Sequence, residues 1–140
     1  MKKVICAALI FCSSTAFAGG IGLAGVRDFN ADKNGIRLSA EMFGVNSSVT
    51  HVENAYNRYA VGKDFDVVRF GGFKLQAAPS VAYQDSSKGQ DGYGLSVGSK
   101  VGYALGKNAS VNVGVERFFG QSRIKSHNGT TATVGLNLTF

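Results

Sequence analysis

Tryptophan is absent from the 140-residue chain, proline occurs once, and both cysteines lie within the first 12 residues. Residues 19–140 therefore contain no cysteine, which excludes a disulfide framework, a thiolate metal site and a cysteine nucleophile there. No apolar run reaches the length that a membrane-spanning helix requires. Glycine, in contrast, is abundant, with 19 residues placed mostly singly among valines, leucines and tyrosines. This spacing lacks the three-residue period of collagen and favours closely paired strands over helices.

The first 18 residues have the pattern of an export signal. A lysine pair precedes the apolar run of residues 4–12, and small residues then form a cleavage site of the A-x-A kind. We predict cleavage after Ala18, which leaves residues 19–140 as the exported domain, with 13 basic and 9 acidic side chains. The alternatives are a buried N-terminal helix and a lipoprotein acylated at Cys12. The bulky Phe11 before that cysteine disfavours acylation.

Residues 19–140 alternate between apolar side chains and small or polar ones, which is the period of a β-strand. Polar loops and tight turns follow one another in alternation, so the two kinds of connection lie at opposite ends of the strands. A break in phase between Val49 and Val52 predicts a β-bulge in the third strand. The eight predicted strands are residues 20–28, 33–43, 44–53, 57–68, 73–83, 93–103, 109–119 and 131–140.

One face of each clear strand carries Tyr, Leu, Val and Phe, whereas the opposite face carries Gly, Ala, Ser and a few charged or amide side chains. An eight-stranded barrel is just wide enough for side chains, and the bulky face would overfill it. The bulky face therefore points outward into lipid, and a soluble lipocalin-like barrel is the less favoured alternative. Aromatic residues near the strand ends support a bilayer. They form an upper belt of Tyr59, Tyr83, Tyr93 and Phe119 and a lower belt of Phe73, Tyr103 and Phe140.

The last eight residues, TVGLNLTF, place Gly135 three residues before Leu138 and end in the aromatic Phe140. This octet resembles the C-terminal assembly signal of bacterial outer-membrane proteins. With the signal peptide and the strands, the chain is similar in architecture to small eight-stranded outer-membrane proteins of the size class of OmpX, Ail and the OmpA membrane domain. The resemblance implies insertion by the barrel-assembly machinery into the bacterial outer membrane. The resemblance covers residues 19–140, and it assigns a functional role to no individual residue.

Charged side chains on the inward face form the first candidate site. In a narrow lumen an unpaired charge is very unfavourable, so we expect these side chains to form ion pairs. A salt-bridged plug is favoured over a gated ion path. We expect Glu116 to pair with a lysine, so that Glu116→Ala lowers the unfolding temperature. The predicted lumen charge network consists of Arg37, Glu41, Lys74, Lys100 and Glu116.

Basic residues near the upper strand ends form the second candidate site. Arg117 lies on the lipid-facing row of its strand, where a cation needs either the interface or an anion. Lipopolysaccharide phosphates are suitable anions, because arginine makes short charge-assisted bonds to phosphate. Snorkelling to the interface is the alternative. The predicted lipopolysaccharide-facing rim consists of Arg58, Arg117, Arg123 and Lys125, with Arg27, Lys33 and Lys88 near it.

The two histidines form the third and weakest candidate site. His51 lies near Ser47, Ser48 and Glu53, and His127 is flanked by Ser126 and Asn128. Lipid A deacylases built on this scaffold use a Ser/His pair, but proximity in sequence does not establish the geometry such a pair needs. No histidine or carboxylate has the spacing of a metal site.

These observations predict an all-β, eight-stranded antiparallel up-and-down transmembrane β-barrel. We expect a monomer of the outer membrane with no cofactor and no nucleic-acid partner, in contact with outer-membrane lipid and lipopolysaccharide. The expected function is non-enzymatic, a structural or surface-interaction role through short loops that meet lipopolysaccharide or an envelope or host partner. A lipid-modifying enzyme and a narrow channel are the alternatives.

Overall fold

The computed structural model describes residues 19–87, 89–121 and 128–140. The predicted export signal, residues 1–18, lies outside the described residues. No part of the described chain forms a helix that is long and apolar enough to cross a membrane. The strands of the described chain are β1 (Gly19–Asp28), β2 (Lys33–Met42), β3 (Val45–Val52), β4 (Tyr56–Gly62), β5 (Phe65–Phe70), β6 (Phe73–Ser86), β7 (Asp91–Ala104), β8 (Ala109–Gly120) and β9 (Gly129–Thr139).

The strands form one closed antiparallel sheet. Strands that follow one another along the chain pair with each other except β4 and β5, and β1 pairs with β9. The circle closes at β6, because β4 pairs with the second half of β6 and β5 with its first half. β4 and β5 are therefore two pieces of a single wall strand. The fold is an all-β, up-and-down barrel of eight wall strands, which confirms the predicted fold class.

The interruption between β4 and β5 lies opposite Pro79, the single proline of the chain. β4 pairs with β6 as far as Ser80 and β5 resumes the pairing at Ala77, so residues 63–64 fall beside the proline. Proline has no N–H to donate to a ladder, and sheets accept it at edges and irregularities. The Pro79 carbonyl still accepts a hydrogen bond from the Lys63 N–H at 3.2 Å. The proline thus explains why one wall strand is split.

The predicted bulge in β3 is wrong. β3 pairs with β2 and with β4 without a register shift. The change of phase arises because Val52 packs inside the barrel and is fully buried, whereas Val49 faces outward. Near this strand end an apolar side chain no longer marks the outer surface. The register shift that does occur lies in β5, between Asp66 and Val68.

The two ends of the barrel differ in their connections. At the end that we call the turn end, Gly20 faces Thr139 beside the C-terminus, and the chain reverses in short turns. In one of them Phe43 and Gly44 both have positive φ, 53° and 76°, as a two-residue type I′ turn requires. The opposite end, which we call the loop end, carries residues 29–32 and 53–55 and the described ends of β6, β7, β8 and β9, at Ser86, Asp91, Gly120 and Gly129.

The outside of the barrel is apolar and the inside is largely polar, the reverse of a soluble protein. Large apolar side chains are more than half exposed along the outer wall, for example Leu95 at 59% and Val134 at 59%. The buried side chains instead include charged and polar groups such as Arg58, Gln84 and Thr131. This arrangement is stable where the solvent around the wall is lipid rather than water.

Candidate functional site

Arg58 closes the lumen at the loop end. β4 directs its side chain inward, where it is 1% exposed. The guanidinium carbon lies 4.7 Å from the centre of the Tyr56 ring and 4.2 Å from that of Phe118, so the cation contacts both rings. Its Nε and Nη2 donate to Oε1 of Gln84 at 3.1 and 2.9 Å. The predicted position of Arg58 on the lipopolysaccharide-facing rim is therefore wrong.

Glu116 joins two arginines from the other side of the barrel. Its Oε2 accepts from Nη1 of Arg37 at 2.9 Å, and its Oε1 accepts from Nη1 of Arg58 at 3.3 Å. Ser96 Oγ donates to the same carboxylate at 3.1 Å, and Arg37 Nε donates to Thr50 Oγ1 at 2.7 Å. The expected partner of Glu116 was a lysine, and the structure corrects this to arginine. Arginine suits the site because its planar fork can serve several acceptors at once.

Asp28 holds the first loop over the closed lumen. This residue is buried, and its Oδ1 accepts hydrogen bonds from the backbone N–H groups of Asn30 and Ala31, both at 2.9 Å. Its Oδ2 accepts from the Tyr56 hydroxyl at 2.5 Å. Tyr56 also contacts Arg58, so the loop, the ring and the buried cation form one packed unit. We call Asp28, Tyr56, Arg58, Glu116 and Phe118, with Arg37 and Gln84, the plug.

The half of the lumen at the turn end is open. It contains a cavity of about 310 Å³, next to a smaller one of about 90 Å³ that reaches Arg37 and Glu116. Glycines on the inward faces make this space, for example Gly102, where a methyl group would meet nothing closer than 3.8 Å. We call this region the vestibule. Its charged and polar lining includes Glu41, Asp64, Lys74, Gln76, Lys100, Asn112 and Asn137.

The two lysines of the vestibule pair with separate carboxylates. Lys100 pairs with Asp64, which also accepts a hydrogen bond from Asn46 at 3.0 Å. Lys74 Nζ lies 3.2 Å from Asp66 Oδ1, and the Lys74 side chain is 39% exposed. Asp64 and Asp66 were not in the predicted network. The sequence does contain a signal for these two residues, because Asp64 and Asp66 alternate with the apolar side chains of Phe65 and Val67.

The five residues of the predicted lumen network therefore do not form one cluster. Arg37 and Glu116 meet in the plug, whereas Lys74 and Lys100 bind separate carboxylates in the vestibule. Glu41 lines the vestibule and is exposed, and it forms no ion pair with any described residue.

The loop-end rim and the histidines are only partly described. Arg117 points outward from β8, with its guanidinium carbon 5.6 Å from the centre of the Phe119 ring. Arg27 forms an ion pair with Asp32, and its side chain is 43% exposed. His51 lies on the outer wall, where its Nδ1 is 2.7 Å from Oδ1 of Asn57. The residues of the predicted rim and histidine sites that lie outside the described residues are Lys88, Arg123, Lys125, Ser126 and His127.

The predicted assembly signal occupies the end of β9 at the turn end. Leu138 and Phe140 point outward and are 53% and 60% exposed. Gly135 packs inward against Ala24 on β1, where a methyl group would meet the Ala24 Cβ at 2.6 Å. The three residues thus mark the seam at which the first and last strands close the barrel.

No protein-family model matches the chain, and no curated protein matches it. Several solved structures do match the chain. The N-terminal β-barrel domain of Pseudomonas aeruginosa OprF superposes with a TM-score of 0.65 at 16% identity, covering 88% of this chain and 97% of that one. The chain has the fold of a small outer-membrane β-barrel. Neisserial surface protein A (NspA) gives a TM-score of 0.53 at 17% identity, covering 90% and 98%. A de novo designed transmembrane β-barrel gives 0.59 at 9% identity, covering 88% and 95%.

Proposed function

We propose that the protein is a non-enzymatic structural component of the bacterial outer membrane, inserted as a monomer with its loop end outward. We further propose that its loop-end rim contacts lipopolysaccharide. The observation that carries the structural role is the closure of the lumen by Arg58, which is buried between two rings. A closed lumen favours a structural or surface role over conduction. The fold shared with small outer-membrane barrels supports the location.

Conductance tests the closed lumen directly. The purified protein in a planar bilayer is expected to give no steady single-channel current, because the plug fills the lumen across its loop end. The Arg58→Ala variant removes the buried guanidinium and is expected to raise the frequency of openings. Steady unitary current through the unmodified protein would contradict the structural role and favour a narrow channel.

Arg117 carries the proposed contact with lipopolysaccharide. It stands on an outward row, opposite Val97 on β7 and two residues from Val115 on its own strand. A guanidinium on an apolar wall requires either the interface or an anion. Phosphate groups of lipopolysaccharide accept paired bonds from a guanidinium more readily than from an ammonium group.

The measurement for this contact is the rise in unfolding temperature when lipopolysaccharide is added to the protein in detergent. We expect a smaller rise for Arg117→Ala than for the unmodified chain. Lys63→Ala is the matched control, because Lys63 is also an outward cation beside an aromatic ring, 5.5 Å from the centre of Phe65. Arg117→Lys separates the two explanations, since simple snorkelling is retained by lysine and paired phosphate bonds are not.

The non-enzymatic part of the proposal has its own test. His51 contacts an amide on the outer wall, and a hydrolytic pair would instead need an activated serine beside it. Incubation of the purified protein with lipid A is expected to release no fatty acid. Release that is lost in His51→Ala or in His127→Ala would overturn this part and favour a lipid-modifying enzyme.

A further inference from the structure

The ion pairs at the mouth of the vestibule leave one charge of each sign unbalanced. Arg69 and Lys74 face each other directly across β5 and β6, and both line the cavity. They share the carboxylate of Asp66, with Arg69 Nε 3.0 Å from Oδ2 and Lys74 Nζ 3.2 Å from Oδ1. Like charges at directly opposed positions of a sheet are unfavourable. This corner of the vestibule therefore has one cation in excess.

The excess carboxylate is that of Glu41 on the wall of β2. It lines the same cavity, and no described residue forms an ion pair with it. β3 separates β2 from the wall strand that contains β5, so the two unbalanced charges lie on different sides of one open space. The remaining charges of the cavity, Lys100 and Asp64, neutralise each other. A ligand that complements this lining carries a cation at one end and an anion at the other.

A ring of polar side chains lies between the vestibule and the smaller cavity beside the plug. Asn112 and Asn137 present half-buried carboxamides to both cavities. A carboxamide donates and accepts hydrogen bonds, which is the pairing that a peptide group offers in return. The residues that line both cavities are Ser39, Asn46, Asp64, Lys100, Asn112 and Asn137.

Gly102 opens the space between the excess cation and the carboxamides. On the inward face it lies opposite Lys74 on one side and opposite Asn112 on the other. β7 has no register shift, and a methyl group at Gly102 would meet nothing closer than the Val111 carbonyl oxygen at 3.8 Å. Neither a bulge nor a close backbone contact therefore requires this glycine. Glycine weakens a strand interior, and it also occurs where a ligand approaches the backbone.

We propose that the vestibule binds a dipeptide with free termini. Its ammonium group contacts Glu41, and its carboxylate contacts Arg69 and Lys74. Its peptide group lies against the carboxamides of Asn112 and Asn137. The cavity of about 310 Å³ is at the lower end of the range of small-molecule sites, which suits a ligand of this size. With the loop end outward, as proposed above, the vestibule opens to the periplasm and receives the peptide from there.

A chemical-shift titration of the isotope-labelled chain in detergent micelles with glycylglycine tests the site. We expect saturable shifts of the backbone amides of Gly102 and Asn112. Gly102→Leu, which fills the opening, is expected to weaken the affinity about tenfold, as a loss of about 1.4 kcal/mol would. Gly25→Leu is the matched control, because Gly25 is an exposed glycine of β1 where a methyl group would meet nothing closer than 3.9 Å. Its affinity is expected to stay unchanged.

The charged contacts are tested by removing one group at a time from the peptide and from the protein. N-acetylglycylglycine lacks the ammonium group, and we expect it to bind several-fold more weakly than glycylglycine. Glu41→Gln is expected to weaken glycylglycine by a similar factor and to leave the N-acetylated peptide unaffected, because the two changes remove the same contact. Glu53→Gln is the control, since Glu53 is an exposed carboxylate at the loop end. Lys74→Gln and glycylglycine amide form the corresponding pair for the carboxylate.

Four outcomes would overturn the proposal. The first is the absence of saturable shifts, and the second is equal affinity of Gly102→Leu and Gly25→Leu for glycylglycine. The third is equal binding of the free and N-acetylated peptides. The fourth is tighter binding of inorganic phosphate or of the diamine putrescine, which would assign the vestibule to a ligand of a single sign. Binding in detergent depends neither on conductance nor on the contact with lipopolysaccharide, so each of these outcomes leaves the proposed function in place.

Discussion

The two halves of the lumen use the same types of charged residue in different ways. In the plug, two arginines share Glu116, and aromatic rings cover Arg58 on both sides. In the vestibule, each lysine has its own carboxylate beside an open cavity of about 310 Å³. The Arg58 side chain of the plug is only 1% exposed, whereas the vestibule has open space beside its ion pairs. An ion pair contributes to stability mainly where losing one partner leaves the other charge buried, so the halves should respond differently to the same kind of substitution.

The largest expected effect is that of Glu116→Ala in the plug. Removal of this carboxylate leaves Arg37 and Arg58 without their shared anion, and the Arg58 side chain is only 1% exposed. Breaking a buried pair on one side costs about 3 kcal/mol or more. Urea unfolding in detergent should show a loss of this size. A loss as small as that of the vestibule variants below would remove the distinction between the halves.

The next largest loss of stability is expected at Gly94 on β7, and Gly102 on the same strand is its control. A methyl group at Gly94 would lie 2.6 Å from the Phe118 ring and also clash with the Phe119 carbonyl, whereas one at Gly102 would meet nothing closer than the Val111 carbonyl oxygen at 3.8 Å. Forcing a group into a packed site destabilises by about 1–3 kcal/mol. We therefore expect Gly94→Ala to lower the unfolding free energy and Gly102→Ala to leave it within about 0.5 kcal/mol. Similar losses for both would show that the vestibule is packed as tightly as the plug.

A smaller loss is expected for Asp64→Asn in the vestibule. The substitution weakens the contact with Lys100 but keeps an oxygen for the hydrogen bond from Asn46. Because the Lys100 side chain is 21% exposed, its ammonium group can recover hydration. We expect about 1 kcal/mol or less by urea unfolding, and a weaker effect in high salt. A loss equal to that of Glu116→Ala would mean that the vestibule is dry.

The smallest effect is expected for Asp66→Asn at the mouth of the vestibule. Asp66 contacts Arg69, Lys74 and Gln76, but the side chains of Asp66, Arg69 and Lys74 are all well exposed. Water replaces these contacts readily, so the melting temperature in detergent should not change measurably. Arg69→Ala serves as the control, because it removes the same pair from the other side. A clear drop for both variants would show that the mouth is part of the structural core.

The sequence predicted the wall of the barrel better than its interior. Alternation along the strands places Glu116 and Lys100 on the inward face. The same alternation places Arg58 on the inward face of its strand, because its neighbour Tyr59 lies on the outward face. The prediction that Arg58 lies on the rim rests instead on its nearness to a strand end. Alternation of apolar and polar side chains is also misleading at Val52, which is apolar and yet buried inside the barrel. Along a strand, alternation reports which face a side chain occupies, but it does not report the solvent that this face meets at each height.

Alternation, glycine content and the C-terminal octet by themselves determined that this chain forms eight strands with the apolar face outward, because a period of two is a local property of the sequence. The pairing of charges was decided by the tertiary structure alone. Glu116 meets Arg37 and Arg58 from 79 and 58 residues away, and it does so through the register in which the strands close. Register sets the height of each inward side chain in the lumen. It therefore decides which charges share the plug and which face the open vestibule.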